Sequence, residues 1–192
     1  EFDYVSTERN VREEDCIDQS EMDGFYASLN LSKRRKCSRE QALRTLPELQ
    51  VAVGSTCFTV NQLNRFLTVF PDDQDVQTTV ITIFFSRLLD LHNLDQVLRS
   101  LTKEGIALIG KKLGWLNIVN PIQPPSYLSL DLAFRDSRHV VRHLLELASG
   151  EPGDPVREAP GSDITLAQLY ASLGSIMVSS EYSGTVNMYY LG

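Results

Sequence analysis

The stretch from about Asp75 to Leu91 constrains the fold more than any other part of this chain. Val76, Val80, Ile83, Phe84, Leu88 and Leu91 recur at helical spacing, and Ile81 and Phe85 widen the apolar stripe. A helix that is apolar around most of its circumference must be covered on several sides, so other segments have to supply matching faces. Thr82, Ser86, Arg87 and Asp90 interrupt the run, which makes it too short and too polar to span a bilayer.

Matching faces are present. A capping box pairs a Ser, Thr, Asn or Asp at the N-cap with Glu or Gln three residues later, and four such pairs precede amphipathic runs: Ser38 and Gln41, Thr59 and Gln62, Asn93 and Gln96, Thr165 and Gln168. After Thr59, the residues Leu63, Phe66, Leu67 and Phe70 form one face, and Pro71 ends the helix. After Asn93 come Leu94, Val97, Leu98 and Leu101. A short helix begins at Thr102, continues through Ile106, Ile109 and Leu113, and stops at Gly114. Prolines at 121, 124 and 125 exclude a helix across the segment that starts at Trp115. Leu128, Leu130 and Leu132 alternate with polar residues, as in a short strand. A last long helix is expected over about Ala133–Ala148, with Phe134, Val141, Leu144, Leu145 and Ala148 on its face. The tail, with Ser183-Gly184 between strand-favouring residues, suggests a small hairpin or the completion of a sheet.

These signals predict a mainly α fold: an irregular bundle of six or seven helices with one or two short strands. The expected organisation is an extended or disordered lead-in over residues 1–22, a helical core over 23–149, a Pro/Gly-rich linker or loop over 150–162, and a C-terminal helix and tail over 163–192 packed on the core. With 192 residues, 42% of them apolar, the chain can bury a core without a disulfide or metal staple. It begins at Glu-Phe rather than Met, which suggests a fragment of a longer protein.

One internal similarity stands out. Residues 57–63 and 163–169 share the pattern apolar, Thr, apolar, any, Gln, Leu at a helix start, and each follows a helical segment. Helix, loop, apolar-Thr, helix resembles the layout of an EF-hand. The chemistry departs from it, because the loop before Gln62 carries no carboxylate and the loop before Gln168 offers Arg157, Ala159 and Gly161 at ligand positions. The resemblance therefore implies at most a degenerate EF-hand-like regulatory domain that does not bind calcium.

Catalytic patterns are absent: there is no nucleophile elbow, no Gly-rich phosphate loop and no Cys-x-x-Cys pair. His139 and His143 lie four residues apart with Asp136 and Glu146 near the same face, which raises a metal-dependent enzyme as one alternative. Arg138 and Arg142 interleave with them and would repel a cation, so Arg142–Glu146 pairing on a solvated face is the plainer reading. Cys16, Cys37 and Cys57 form an odd set with no motif spacing, which fits a reducing, intracellular compartment. The cysteines carry no activation signal, and buried or spectator thiols are the plainer reading, with a pKa depressed by the preceding basic run as the alternative for Cys37. That run, Lys33, Arg34, Arg35 and Lys36, is a weak basic patch with no aromatic residues to stack on bases. At a net charge of −7, nucleic acid is not expected as the main partner. No cofactor is implied.

The remaining feature is a strap of Trp, Asn, Pro and Tyr. Trp115 is the single tryptophan, and Asn120, Pro121 and Tyr127 follow it on a long connection. One reading is a rigid structural strap packed across the bundle, with Trp115 as its anchor. The other is a partner-binding surface, because Trp and Tyr dominate interface hot spots, and on that reading these four residues are the candidate partner-binding set. The functional expectation is a non-enzymatic module that binds another protein, within a larger intracellular scaffold or cytoskeleton-associated protein.

Overall fold

The computed structural model describes residues 16–120, 124–125, 127–150, 153, 155–172 and 183–191. The protein is mostly helical with one small antiparallel sheet. It divides into two compact units, Glu1–Leu91 and His92–Gly192. The dividing point falls inside residues 23–149, which the sequence reads as one body. The described residues form nine α-helices and three strands, more than the six or seven helices and one or two strands expected. The surplus consists mainly of pieces too short to show a period: two four-residue helices and a three-residue strand.

The first unit contains α1 (Gln19–Ser28), α2 (Arg39–Val53), α3 (Val60–Leu67) and α4 (Gln74–Phe85). Each has a side-chain N-cap: Asp18, Ser38, Thr59 and Asp73. Full reciprocal capping boxes form at Asp18 with Glu21 and at Thr59 with Gln62. Ser38 makes only half of one, because the Gln41 side chain donates to the Asn30 carbonyl at 3.2 Å instead. Structure thus starts inside the lead-in assigned to residues 1–22, where Ile17 and Met22 are buried.

The centre of this unit is aromatic. Phe58 and Phe84 meet edge to face at 4.7 Å, Phe66 lies 5.2 Å from Phe84, Phe25 lies 5.3 Å from Phe58, and Tyr26 stacks on Phe66 at 5.1 Å. Val76, Val80, Ile81 and Phe84 of α4 are fully buried, as the stripe predicts. The helix is shorter than expected and ends at Phe85 instead of near Leu91. The reason is tertiary pairing. Phe58 donates to the Arg87 carbonyl at 2.9 Å and accepts from Leu89 at 3.0 Å, which draws residues 87–89 out of the helix into a parallel bridge between Phe58 and Leu88. His92 consequently sits on a 3₁₀ turn, Leu91–Asn93, and not at the end of α4.

The second unit contains α5 (Asp95–Leu98), α6 (Lys103–Leu113), α7 (Trp115–Ile118), β1 (Tyr127–Asp131), α8 (Arg135–Gly150), β2 (Val156–Glu158), α9 (Leu166–Ala171) and β3 (Thr185–Tyr190). No side-chain cap forms at α5, where Leu94 takes the N-cap position in helical geometry, so the expected Asn93–Gln96 box is not made. Thr165 and Gln168 do form one. The sheet order is β1-β3-β2, antiparallel throughout, with Leu130 opposite Val186 and Glu158 opposite Met188. The tail is therefore the central strand, and the segment read as a linker over 150–162 supplies an edge strand. Leu128, Leu130, Val186 and Met188 turn inward beside Ile109, Val141, Leu144 and Leu145 as the buried set of this unit.

Candidate functional site

The candidate site is a cleft in the second unit, built where α6, α7, β1 and the start of α8 converge. Its volume is about 270 Å³, and its lining includes Gly110, Lys111, Trp115, Ser129, Phe134 and Asp136. Trp115 forms its floor. The side chain is 4% exposed, and a Cβ on Gly110 would come within 2.2 Å of its indole ring. Only glycine allows α6 and this ring to approach so closely. Gly114 joins α6 to α7 with φ of +80°, a backbone conformation that side chains strain. The Trp115 amide then donates to Asp136 Oδ2 at 3.0 Å, while Asp136 Oδ1 accepts from Ser137 at 2.8 Å. One carboxylate at the first turn of α8 thereby fixes the start of α7, where backbone N–H groups are otherwise unpaired.

At the mouth of the cleft stands Phe134, 57% exposed. Its 7-residue spacing from Val141 places it on the buried face of a helix, but α8 begins at Arg135. Phe134 belongs to the turn before it, where its N–H donates to the Asp131 carbonyl at 3.2 Å. The expectation of a core Phe134 is thus corrected. An exposed aromatic ring lining a cleft differs from Val51, which at 80% exposure lies on α2.

The sequence-predicted strap fares unevenly. Trp115 starts a short helix that the prolines were expected to exclude, and that helix ends at Ile118, before the first of them. It is an anchor inside the unit and not an exposed contact residue. Asn120 is half-buried, and Pro121 lies outside the described residues. Tyr127 is half-buried on β1, opposite Tyr189, with ring centroids 5.6 Å apart. Its hydroxyl donates to Asn187 Oδ1 at 3.3 Å. Lys103 lies over both rings, at 4.7 Å from Tyr189 and 5.5 Å from Tyr127, and its ammonium bonds the Tyr189 hydroxyl. That bond holds the ammonium pKa above its ordinary value. Tyr127 thus ties α6 to the sheet and does not line the cleft.

Elsewhere, two of the four cations of the basic run pair with carboxylates. Lys33 pairs with Asp23, Lys36 with Asp72 at 2.5 Å, and Arg39 with Asp73 at 2.7 Å, while Arg34 and Arg35 are exposed. Burial pushes the Cys37 thiol pKa up, opposite to the direction the basic-run alternative would give. His139 and His143 lie on α8. Asp136 is engaged with Trp115, and Glu146 pairs with Arg142 at 2.7 Å. Among the described residues no three His, Cys, Asp or Glu side chains converge as metal ligands. No described helix is long and apolar enough to cross a membrane. The segments 57–63 and 163–169 fall in separate units, and Phe58 bridges Leu88.

Comparison with known proteins returns no matching family model, no matching curated protein and no matching solved structure.

Proposed function

We propose that this chain is a non-enzymatic protein-interaction module of a larger scaffold, and that the Trp115–Phe134 cleft receives an apolar or aromatic side chain from a partner protein. The observation that carries this reading is Phe134, a large ring left more than half exposed beside a floor held rigid by Gly110 and Asp136. A preorganised cleft with a buried indole at its base and an aromatic rim is a setting in which a single inserted side chain contributes strongly to affinity. The lining includes two carboxylates and three hydroxyls, Asp131, Asp136, Ser129, Ser137 and Thr185. Both oxygens of Asp136 accept backbone N–H bonds, so this carboxylate serves local structure and is not poised as a base.

The test is quantitative affinity capture with the intact chain, Phe134→Ser and Tyr127→Ala. Phe134→Ser is expected to lose a specific partner at least tenfold while melting at the wild-type temperature, and Tyr127→Ala is expected to retain it. Equal recovery with Phe134→Ser would remove the basis for the proposal.

A further inference from the structure

In the first unit, two cysteines 41 positions apart in sequence stand opposite each other across a backbone bridge. Cys16 and Cys57 are partners in a parallel β-bridge, and the Ile17 N–H donates to the Cys57 carbonyl at 3.2 Å. Opposed residues on adjacent extended segments lie roughly 5 Å apart at Cα. Disulfides take Cα separations of about 4.4–6.8 Å. Side chains at directly opposed positions of a parallel pair leave the backbone on the same face, so the two sulfurs start on one side of the bridge.

The surroundings fix this juxtaposition. Two residues after each cysteine stands a helix cap: Asp18 for α1 and Thr59 for α3. Both caps are completed by reciprocal boxes, with Glu21 in one and Gln62 in the other. Gln62 also donates to the Ile17 carbonyl at 2.6 Å and so links the second box to the segment carrying the first cysteine. Cys57 is buried and Cys16 half-buried, so one thiol is reachable from solvent and the other is sheltered behind it. Cys37 stands apart from the bridge, with its backbone N–H on the Val69 carbonyl.

We propose that Cys16 and Cys57 are a redox modification site, a dithiol that closes to an intramolecular disulfide when it meets a small-molecule disulfide. The Cys16 thiolate attacks one sulfur of the oxidant, forms a mixed disulfide and expels one thiol. The Cys57 thiolate then attacks the Cys16 sulfur and expels the second. Two protein thiols are oxidised, one disulfide of the oxidant is reduced to two thiols, and the two protons lost by the cysteines appear on the expelled thiols. The product staples the segment before α1 to the segment before α3. It concerns the first unit and does not rest on the cleft of the second.

The test uses the intact 192-residue chain and its Cys37→Ser variant, each incubated with excess oxidised glutathione, alkylated, and mapped by mass spectrometry without reduction. Cleavage at Lys36, Arg39 and Arg44 puts each cysteine on a separate tryptic peptide. The expected result is a Cys16–Cys57 linked peptide in both proteins, free Cys37 in the native chain, monomeric species, and a melting temperature raised by about 10 °C on oxidation. Three alkylated thiols, a linkage through Cys37, a reaction halted at a glutathione adduct of Cys16, or a link between two chains would each overturn the proposal.

Discussion

The two units solve the same burial problem by different means. The first surrounds α4 with helices and fills its centre with rings, all drawn from Phe25 to Phe84. The second closes around a strand that arrives last: β3 inserts between β1, some 60 positions earlier, and β2, some 30 positions earlier. In the first, local helical pattern and tertiary packing agree up to Phe85, where the Phe58–Leu88 bridge ends α4 early. In the second, the inner face is complete only when residues distant in sequence pair. Such non-local pairing carries the larger loop-closure cost before it is rewarded. Each unit keeps a cleft among its described residues, about 250 Å³ beside Tyr26 and Arg65 in the first and about 270 Å³ in the second; the difference lies in the exposed Phe134 ring at the second.

Substitutions can break or sharpen this contrast. The largest effect is expected from Val186→Asp, which places a charge at the middle of the central strand, where the side chain is fully buried. A loss of more than ~4 kcal/mol should abolish the second unit. Hydrogen exchange is expected to show protection lost across β1, α8 and β3 and retained across α1 to α4; loss in both would mean that the units do not fold separately. Phe84→Ala should cost about 3–5 kcal/mol by opening a cavity among Phe25, Phe58 and Phe66, with the exchange pattern reversed. Gly110→Ala should cost about 1–3 kcal/mol, because the new Cβ meets the Trp115 ring; a shift in tryptophan emission would report the displaced floor.

Smaller effects come from the caps. Thr59→Ala should destabilise the first unit by about 1 kcal/mol, read from chemical denaturation. Acid gives a parallel measure. The Glu21 amide, with help from the Ser20 hydroxyl, holds the Asp18 carboxyl below its ordinary pKa, and the Val76 amide with Arg39 does the same for Asp73. A depressed native pKa contributes stability that is complete above the unfolded carboxylate value, near pH 4, and is lost as pH falls through the native one. Helicity of α1 and α4 should therefore weaken below about pH 4, and Asp18→Asn with Asp73→Asn should flatten that response.

Much of the first unit was legible because its signals are local. The Thr59 box and the stripe of α4 can be read within a dozen residues, whereas α3 ends at Leu67, four residues before the stop expected at Pro71. The charged composition before residue 22 hid the Asp18 box and the bridge at Cys16, although Cys16-Ile-Asp18-x-x-Glu21 and Cys57-Phe-Thr59-x-x-Gln62 match position for position. That repeat was the available signal. In the second unit, alternating leucines revealed β1, but β2 lies within a Pro- and Gly-rich stretch whose pairing depends on β3. The site itself was half visible. Trp115 drew attention both as an anchor and as a contact residue, and the close approach of Gly110 buries it as an anchor. Phe134 carried helical spacing without helical structure, so periodicity pointed it inward.

The central claim, that the second unit recognises a partner through the cleft, is tested most directly by site-specific photo-crosslinking. A benzophenone amino acid placed at Phe134 should trap one discrete partner protein, while the same group at the more exposed Val51 should trap none of it. Indistinguishable crosslinks from the two positions, or no product at Phe134 under conditions in which the protein remains folded, would contradict the account.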